Sequence, residues 1–199
     1  MNNVEREICK KFHIHGVQFS RDAPPIMGYE GTRDDLAVLF SELKYNIGAE
    51  IGVAKGLYSI VLFKANPDLK LYLVDSYKPF THHSQEFQNR RLQKAKDRVK
   101  GFNAEFIIKY SADAVKDIND KSLDFVYIDA MHYFDDCMED IIKWVPKVRS
   151  GGIVSGHDYE HYPECGVTNA VDAYCHAHCI NPYFITVKDP PRSWFFVKP

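Results

Sequence analysis

Tyr45-Asn-Ile-Gly-Ala-Glu50-Ile-Gly52-Val-Ala-Lys-Gly56 is the stretch that decides the fold. Its first half is a short β-rich run, and its two later glycines form a turn into a helical pattern. Outward from it the same unit repeats. β-rich runs are expected at 45–53, 69–74, 104–108, 123–128, 152–155, 183–187 and 193–197. Phe125-Val126-Tyr127-Ile128 is apolar without a break, as in a strand buried on both faces of a parallel sheet. Between the runs, Phe87, Leu92, Ala95 and Val99 fall near one helical face, and Ile141, Ile142, Trp144 and Val145 anchor another. Pro146 and then Gly151-Gly152 stop that second helix. Only Lys188 to Arg192 separates the last two runs, which predicts an antiparallel hairpin. Residues 1–44 read as a helical lead-in, with Leu36, Val38, Leu39, Phe40 and Leu43 apolar. The alternation predicts an α/β protein, a three-layer α/β/α sandwich on a mostly parallel sheet of seven strands. Residues 1–199 are expected to form one domain, with 45–199 as its core.

Composition agrees. The chain has 199 residues, 45% hydrophobic and 26% charged, which is the balance of an ordinary globular domain. Lys plus Arg number 25 against 27 for Asp plus Glu, a net charge of −2. That argues against a basic nucleic-acid binder and against a polyacidic disordered chain. No apolar run approaches the ~18 residues of a membrane span. The start, Met1-Asn-Asn-Val-Glu-Arg-Glu7, is polar where a signal peptide would be basic and then apolar. Five cysteines, an odd number at irregular spacing, suggest reduced thiols and a cytoplasmic setting.

In open parallel sheets, ligands bind beyond the carboxyl ends of the strands. The first run ends in Glu50 to Gly56, the second in Asp75-Ser76-Tyr77 and the third in Ser111-Ala112-Asp113. The fourth ends in Asp129-Ala-Met-His132 and the fifth in Gly156-His157-Asp158. Glycines at 52 and 56 let the backbone approach a ligand closely, and the amides at the following helix start suit an anionic group. Asp75 follows Gly52 by 23 residues. That is close to the ~20-residue offset at which an acid accepts hydrogen bonds from ribose hydroxyls.

Glu50-x-Gly-x-x-x-Gly56, Asp75, Ile128-Asp129 and Gly151-Gly152 resemble the class I S-adenosylmethionine-dependent methyltransferases, a Rossmann-like class. Ile128 to His132, Trp144 to Gly152 and Gly156-His-Asp-Tyr159 are similar to a bacterial group related to the catechol and caffeoyl-CoA O-methyltransferases. The resemblance covers residues 45–197. It implies that Glu50 and the Gly52–Gly56 loop pass the methionine part of the cofactor, with Ser59 at its carboxylate. It puts Asp75 with Ser76 at the ribose, and Ser111, Ala112 and Asp113 beside the adenine. Asp129 then faces the methionine end and the acceptor, and in the catechol-type enzymes this position also ligates a divalent metal. Two positions depart from the pattern. Tyr58 stands where the plant and mammalian enzymes carry the serine, and His157-Asp158 replaces their Asp-Asn.

The reaction expected is methyl transfer from a sulfonium to a hydroxyl oxygen of a small molecule or glycan. A phenol titrates near ~10, so a base or a metal ion is needed to remove its proton at neutral pH. His157, His132 and Asp129 are the candidate catalytic residues, and Asp129 with Asp158 the candidate ligands for Mg²⁺. His132 could instead cap the next helix, and His157 bond a neighbouring backbone group. No nucleic-acid or membrane partner is expected. A homo-oligomer stays open, since residues 1–44 could cover the site or a neighbouring subunit. Two other functions remain: a nicotinamide-dependent oxidoreductase, disfavoured by the absence of Gly-x-Gly-x-x-Gly, and a catalytically silent cofactor-binding module. The basic residues of 88–100 are expected on a solvated helix face. Cys165, Cys175, His176, His178 and Cys179 lack zinc-knuckle spacing and read as thiols. His82-His83 either line the mouth of the site or sit in a solvated loop.

Overall fold

β5 (Leu123–Ile128) is the strand from which both sides of the sheet are packed. Leu123 joins one apolar cluster ahead of a register shift between 123 and 125; beyond it Val126 and Ile128 enter that cluster, while Phe125 and Tyr127 enter the other. That alternation follows from the period of two along a strand. The apolar run at 125–128 is therefore buried on both faces, as its composition predicts. The computed structural model describes residues 3–14, 26–28, 31–80, 83–188 and 190–199.

In chain order the elements are α1 (Asn3–Lys11), β1 (Ile26–Gly28), α2 (Arg33–Glu42), β2 (Ile47–Ile51), α3 (Leu57–Ala65) and β3 (Lys70–Val74). Then come α4 (Gln85–Arg98), β4 (Ala104–Ile107), the short α5 (Ser111–Ala114), β5 and α6 (Phe134–Trp144). The chain ends with β6 (Val148–Gly156), α7 (Val167–Ala177), β7 (Phe184–Thr186) and β8 (Trp194–Val197). The strand order is β1-β7-β8-β6-β5-β2-β3-β4. β2 to β6 are mutually parallel, and β8 runs antiparallel to both β6 and β7. The seven expected strands are all present, and the closing hairpin is antiparallel. The sheet has an eighth strand because the lead-in supplies β1, which pairs parallel with β7. Three residues are too few to show a period of two, so a strand this short leaves no pattern in the sequence.

The helices divide between the faces. Residues of α1, α2, α3 and α4 pack in one cluster, and those of α5, α6 and α7 in the other. Each large side chain buried there is worth roughly 1.5–3 kcal/mol relative to exposure. Trp144 and Trp194 on one face, and Phe40, Phe63 and Phe125 on the other, are essentially inaccessible. α2 starts at a reciprocal cap: Asp35 N–H donates to Thr32 Oγ1 at 3.1 Å, and Thr32 N–H to Asp35 Oδ2 at 3.0 Å. Pro146 follows α6 within a 3-10 turn, as expected. No helix among the described residues is long and apolar enough to cross a membrane.

Successive strands run outward from β2 in one direction, to β3 and β4, and from β5 in the other. The crevice between the β2 and β5 ends is thus where the strand order reverses, the place at which such sheets hold ligands. Gly52 and Asp129 are the first residues beyond those two strands.

Candidate active site

Gly52 shows how tightly that crevice is drawn. Its N–H donates to Val74 O at 2.8 Å, and Asp129 N–H donates to Ile51 O at 2.7 Å, so the ladder continues one residue past the strands. Gly52 has φ of +92°, and a Cβ built on it would lie 1.9 Å from the carbonyl oxygen of Asp129. Only glycine fits. The turn continues through Ala54 and Gly56, both left-handed, into α3, whose first residue has no side-chain cap.

Asp75 braces this turn. Its Oδ2 accepts from Ala54 N–H and its Oδ1 from Tyr77 N–H, each at 2.9 Å. A carboxylate has about four acceptor sites, so roughly two remain for a diol. Glu50 and Ser59 lie beneath the turn. Ser59 is fully buried and donates to Glu50, which is itself 2% exposed. Burial pushes the Glu50 carboxyl up to about 8, against the pull of Ser59 and with a further push from the charge of Asp129. Ser59 is thereby committed to Glu50 and is not part of the cavity wall.

A cavity of about 420 Å³ opens between these loops. Gly52, Asp75, Ser76, Ser111, Ala112 and Asp129 border it, bringing together most of the residues expected there. Met131 of the Ile128–His132 motif also lines it, as do Gln88 and Arg91 of α4, the latter a basic residue expected on the solvated face. Of the other basic side chains of α4, Arg90, Lys94 and Lys96 are exposed as expected, while Arg98 is half-buried and donates to Lys55 O. Ser111 donates to the buried Asp140 and accepts from Trp144 Nε1 at 2.7 Å. Burial lifts Asp140 to about 6. Asp113 faces elsewhere. It pairs with Lys116 at 2.8 Å and lines an adjoining depression that shares Ser76, Lys78, Lys109 and Tyr110 with the cavity. His83 stacks on Phe87 at 4.5 Å, and His82 lies outside the described residues.

On the far side, Asp129, His132 and Asp158 each offer a ligand atom within 4.8 Å of the others. His132 Nε2 is 3.1 Å from Asp158 Oδ2 and 3.8 Å from Asp129 Oδ1. Two ligands at ~2.1 Å from a common ion sit ~3–4 Å apart, so this set fits a divalent cation. His132 is raised, first by the neighbouring carboxylate of Asp129 and then by the charges of Asp158 and Asp129, against partial burial. Burial acts to raise Asp158, but His157, His132 and Tyr162 outweigh it and hold the group below its usual range. His132 is not a helix cap, since α6 begins after Tyr133 with no side-chain cap. His157 is turned inward, its side chain 11% exposed, with Nδ1 3.2 Å from Asp158 Oδ2. It reaches the group only through Asp158. Cys165, Cys175 and Cys179 are unbridged, and with His176 and His178 they form no metal-capable group among the described residues.

The loop after β6 supplies further contacts. The Tyr162 hydroxyl lies 3.2 Å from both His132 Nδ1 and Asp158 Oδ1. Arg192, just before the closing strand, donates from Nε and Nη2 to the two oxygens of Glu160 at 2.8 and 2.6 Å.

Known proteins share this fold. A protein provisionally described as a caffeoyl-CoA O-methyltransferase from Staphylococcus aureus superposes with a TM-score of 0.64 at 14% identity, over 100% of this chain and 93% of that one. An O-methyltransferase family protein from Burkholderia thailandensis gives 0.61 at 12% identity, over 83% and 55%. The N-methyltransferase NodS from Bradyrhizobium japonicum WM9 gives 0.57 at 14% identity, over 84% and 94%. Identities this low establish the fold alone. A stretch of 52 residues is 35% identical to uncharacterized protein y4gI of Sinorhizobium fredii (strain NBRC 101917 / NGR234). That stretch is 26% of this chain and 6% of that protein, so the chain corresponds to a small part of it. A methyltransferase-domain family model matches residues 49–159, which run from β2 to the loop after β6 and make up more than half of the chain. With every strand end that borders the cavity inside or beside that match, the chain belongs to the methyltransferase-domain family.

Proposed function

We infer that the protein is an S-adenosylmethionine-dependent methyltransferase acting on a hydroxyl oxygen of a small molecule or glycan. The observation that carries the reading is the double duty of Asp129. Its main chain closes against Gly52 at the cofactor side, while its carboxylate stands in the His132–Asp158 group. One residue thus joins a nucleoside-type cradle to a set of groups suited to proton or metal handling.

Bound in the cavity, S-adenosylmethionine supplies an electrophilic methyl group on a sulfonium sulfur. The residues around it do the positioning, which is worth up to ~7–11 kcal/mol for well-oriented reactants. The free acceptor sites of Asp75 take the ribose hydroxyls. The Gly52–Gly56 turn and the start of α3 face the methionine end. The carboxylates of Asp129 and Asp75 favour a cationic ligand between them. Asp129, His132 and Asp158 would hold a divalent ion, Mg²⁺ or another, whose contribution when bound is to acidify and orient the acceptor hydroxyl. The proton of that hydroxyl is accepted on the acceptor side, where His132 is the candidate base. His157 steadies Asp158 from behind. The single domain of 1–199 carries the whole activity in this reading.

One titration series tests it. S-adenosylmethionine and S-adenosylhomocysteine are expected to bind by calorimetry, and NAD is not. Binding of NAD alone overturns the reading in favour of an oxidoreductase. Tight cofactor binding with no methyl transfer to any hydroxylated acceptor, in wild type and in Asp129→Ala alike, would leave a silent binding module. Turnover that is unchanged in excess chelator removes the divalent ion from the reaction.

A further inference from the structure

α6 carries a carboxylate into the cavity wall with only one of its oxygens provided for. Asp140 is 6% exposed and borders the cavity. Its Oδ1 accepts from Ser111, and no other hydrogen bond or ion pair reaches the side chain among the described residues. The direction of that bond is fixed. Trp144 Nε1–H can only donate, and does so to Ser111 Oγ at 2.7 Å, so the single hydroxyl proton of Ser111 goes to Asp140. The relay from Trp144 through Ser111 thus holds the carboxylate by Oδ1 and leaves Oδ2 without a donor. Tying α5 to α6 needs only the first oxygen. A second one, withdrawn from bulk water at the edge of a cavity, is costly until a ligand brings it a donor.

We propose that Asp140 is a specificity-determining residue for the cofactor, accepting a hydrogen bond from the exocyclic amine of its base and so selecting adenine. The inference deepens the functional reading above and rests on it. β3, whose end carries Asp75, has β2 on one side and β4 on the other. With the ribose at Asp75, its 5′ arm carries the sulfonium toward Gly52 and Asp129, at the ends of β2 and β5. The 1′ arm leaves the other way and sends the base toward the loop after β4, where Ser111 and Ala112 border the cavity. The bond from Ser111 places Asp140 at that same end.

Adenine presents an N–H₂ donor at its 6-position, and hypoxanthine an oxygen. A carboxylate accepts from the first and repels the second. Asp113, the acid expected beside the base, is turned out to Lys116 at 2.8 Å, so the acid that reaches the base comes from α6 instead. Asp136 and Glu139 border the cavity too, but both are exposed, and Glu139 is paired with Lys143 at 2.6 Å. Water competes for their oxygens; at Asp140 it does so far less.

The test is a calorimetric titration of the full-length protein with S-adenosylhomocysteine and with S-inosylhomocysteine, which carries oxygen in place of the amine. It is run at pH 8, where Asp140 is ionised, since burial lifts it only to about 6. Wild type is expected to bind the adenosyl compound ~10–100-fold more tightly, the range for a hydrogen bond to a charged group. Asp140→Asn, whose amide can accept from an amine or donate to a carbonyl oxygen, is expected to bind the two within ~3-fold of each other. Glu139→Gln is expected to keep the preference. A wild type that binds both compounds alike overturns the proposal without any variant. So does an Asp140→Asn protein that keeps the full preference. An equal collapse in Glu139→Gln overturns it as well, because the charge of the wall rather than one hydrogen bond would then set the selection. The two readings fail differently: a protein that binds neither compound refutes the methyltransferase and Asp140 together, whereas one that binds both equally refutes Asp140 alone.

Discussion

The two halves of the crevice are made of different materials. The half beyond β2 and β3 is mostly main chain: left-handed Gly52, Ala54 and Gly56, and one brace, Asp75. The half beyond β5 and β6 is mostly side chain: Asp129 and His132 from one loop, Asp158 and Tyr162 from another that Arg192 grips through Glu160. The contrast teaches that the cofactor side is set by steric exclusion and the acceptor side by hydrogen-bond direction. The first tolerates almost no substitution. The second tolerates substitution at the cost of chemistry rather than of fold.

The largest effect expected from that contrast is at Gly52. Gly52→Ala puts a methyl group into the Asp129 carbonyl on a left-handed backbone. Overpacking of this kind costs roughly 1–3 kcal/mol and the backbone strain about as much again. The melting temperature should fall by ~10 °C or more, and calorimetry should find no cofactor binding. A variant that melts and binds like wild type would break the comparison outright. Next in size, His132→Ala should keep the melting temperature within a few degrees and cofactor affinity within ~3-fold, while turnover drops ~10²–10⁴-fold. A parallel loss of cofactor affinity would mean the two halves are one site. Smaller again, Asp75→Asn should weaken cofactor binding ~10–100-fold, in line with ~1.5–3 kcal/mol for a hydrogen bond to a charged group. Its kcat at saturation should stay within a few-fold of wild type.

The smallest effect belongs to Glu50. Its folded carboxyl sits near about 8 against 4.5 for the ordinary group, because burial penalises the charge. A raised folded value means the stabilising difference is complete below ~4.5 and is lost as pH rises through ~8. Denaturant melts should therefore show stability declining across that window, and Glu50→Gln should flatten the decline. A flat wild-type profile would show that Glu50 ionises without penalty.

The same division decides what could be read from the sequence. The order of strands, the glycine turn and the acid at the end of β3 are local: each depends on residues a few positions apart, and spacing records them. β1 was invisible because three residues carry no period. Ser59, though adjacent to the right place, is drawn under the turn by Glu50, a contact set by the pitch of α3 rather than by any motif. Asp113 and His157 stand next to the predicted positions but point away, since one residue of rotation on a helix or strand end changes the face presented. Tyr162 and Arg192 act across 30 and 32 residues, on His132 and Glu160. Such partnerships exist only once the sheet has brought the loops together.

The missing side chain at Gly52 has a further consequence. With bare backbone against bare backbone, the turn after β2 and the loop after β5 have no flexible filler to absorb movement between them. Any shift that reshapes the entrance for a new acceptor is transmitted at full amplitude to the nucleoside cradle. Diversification of this scaffold would therefore be steered away from the inner edge and onto partly exposed positions such as Met131 and Phe134.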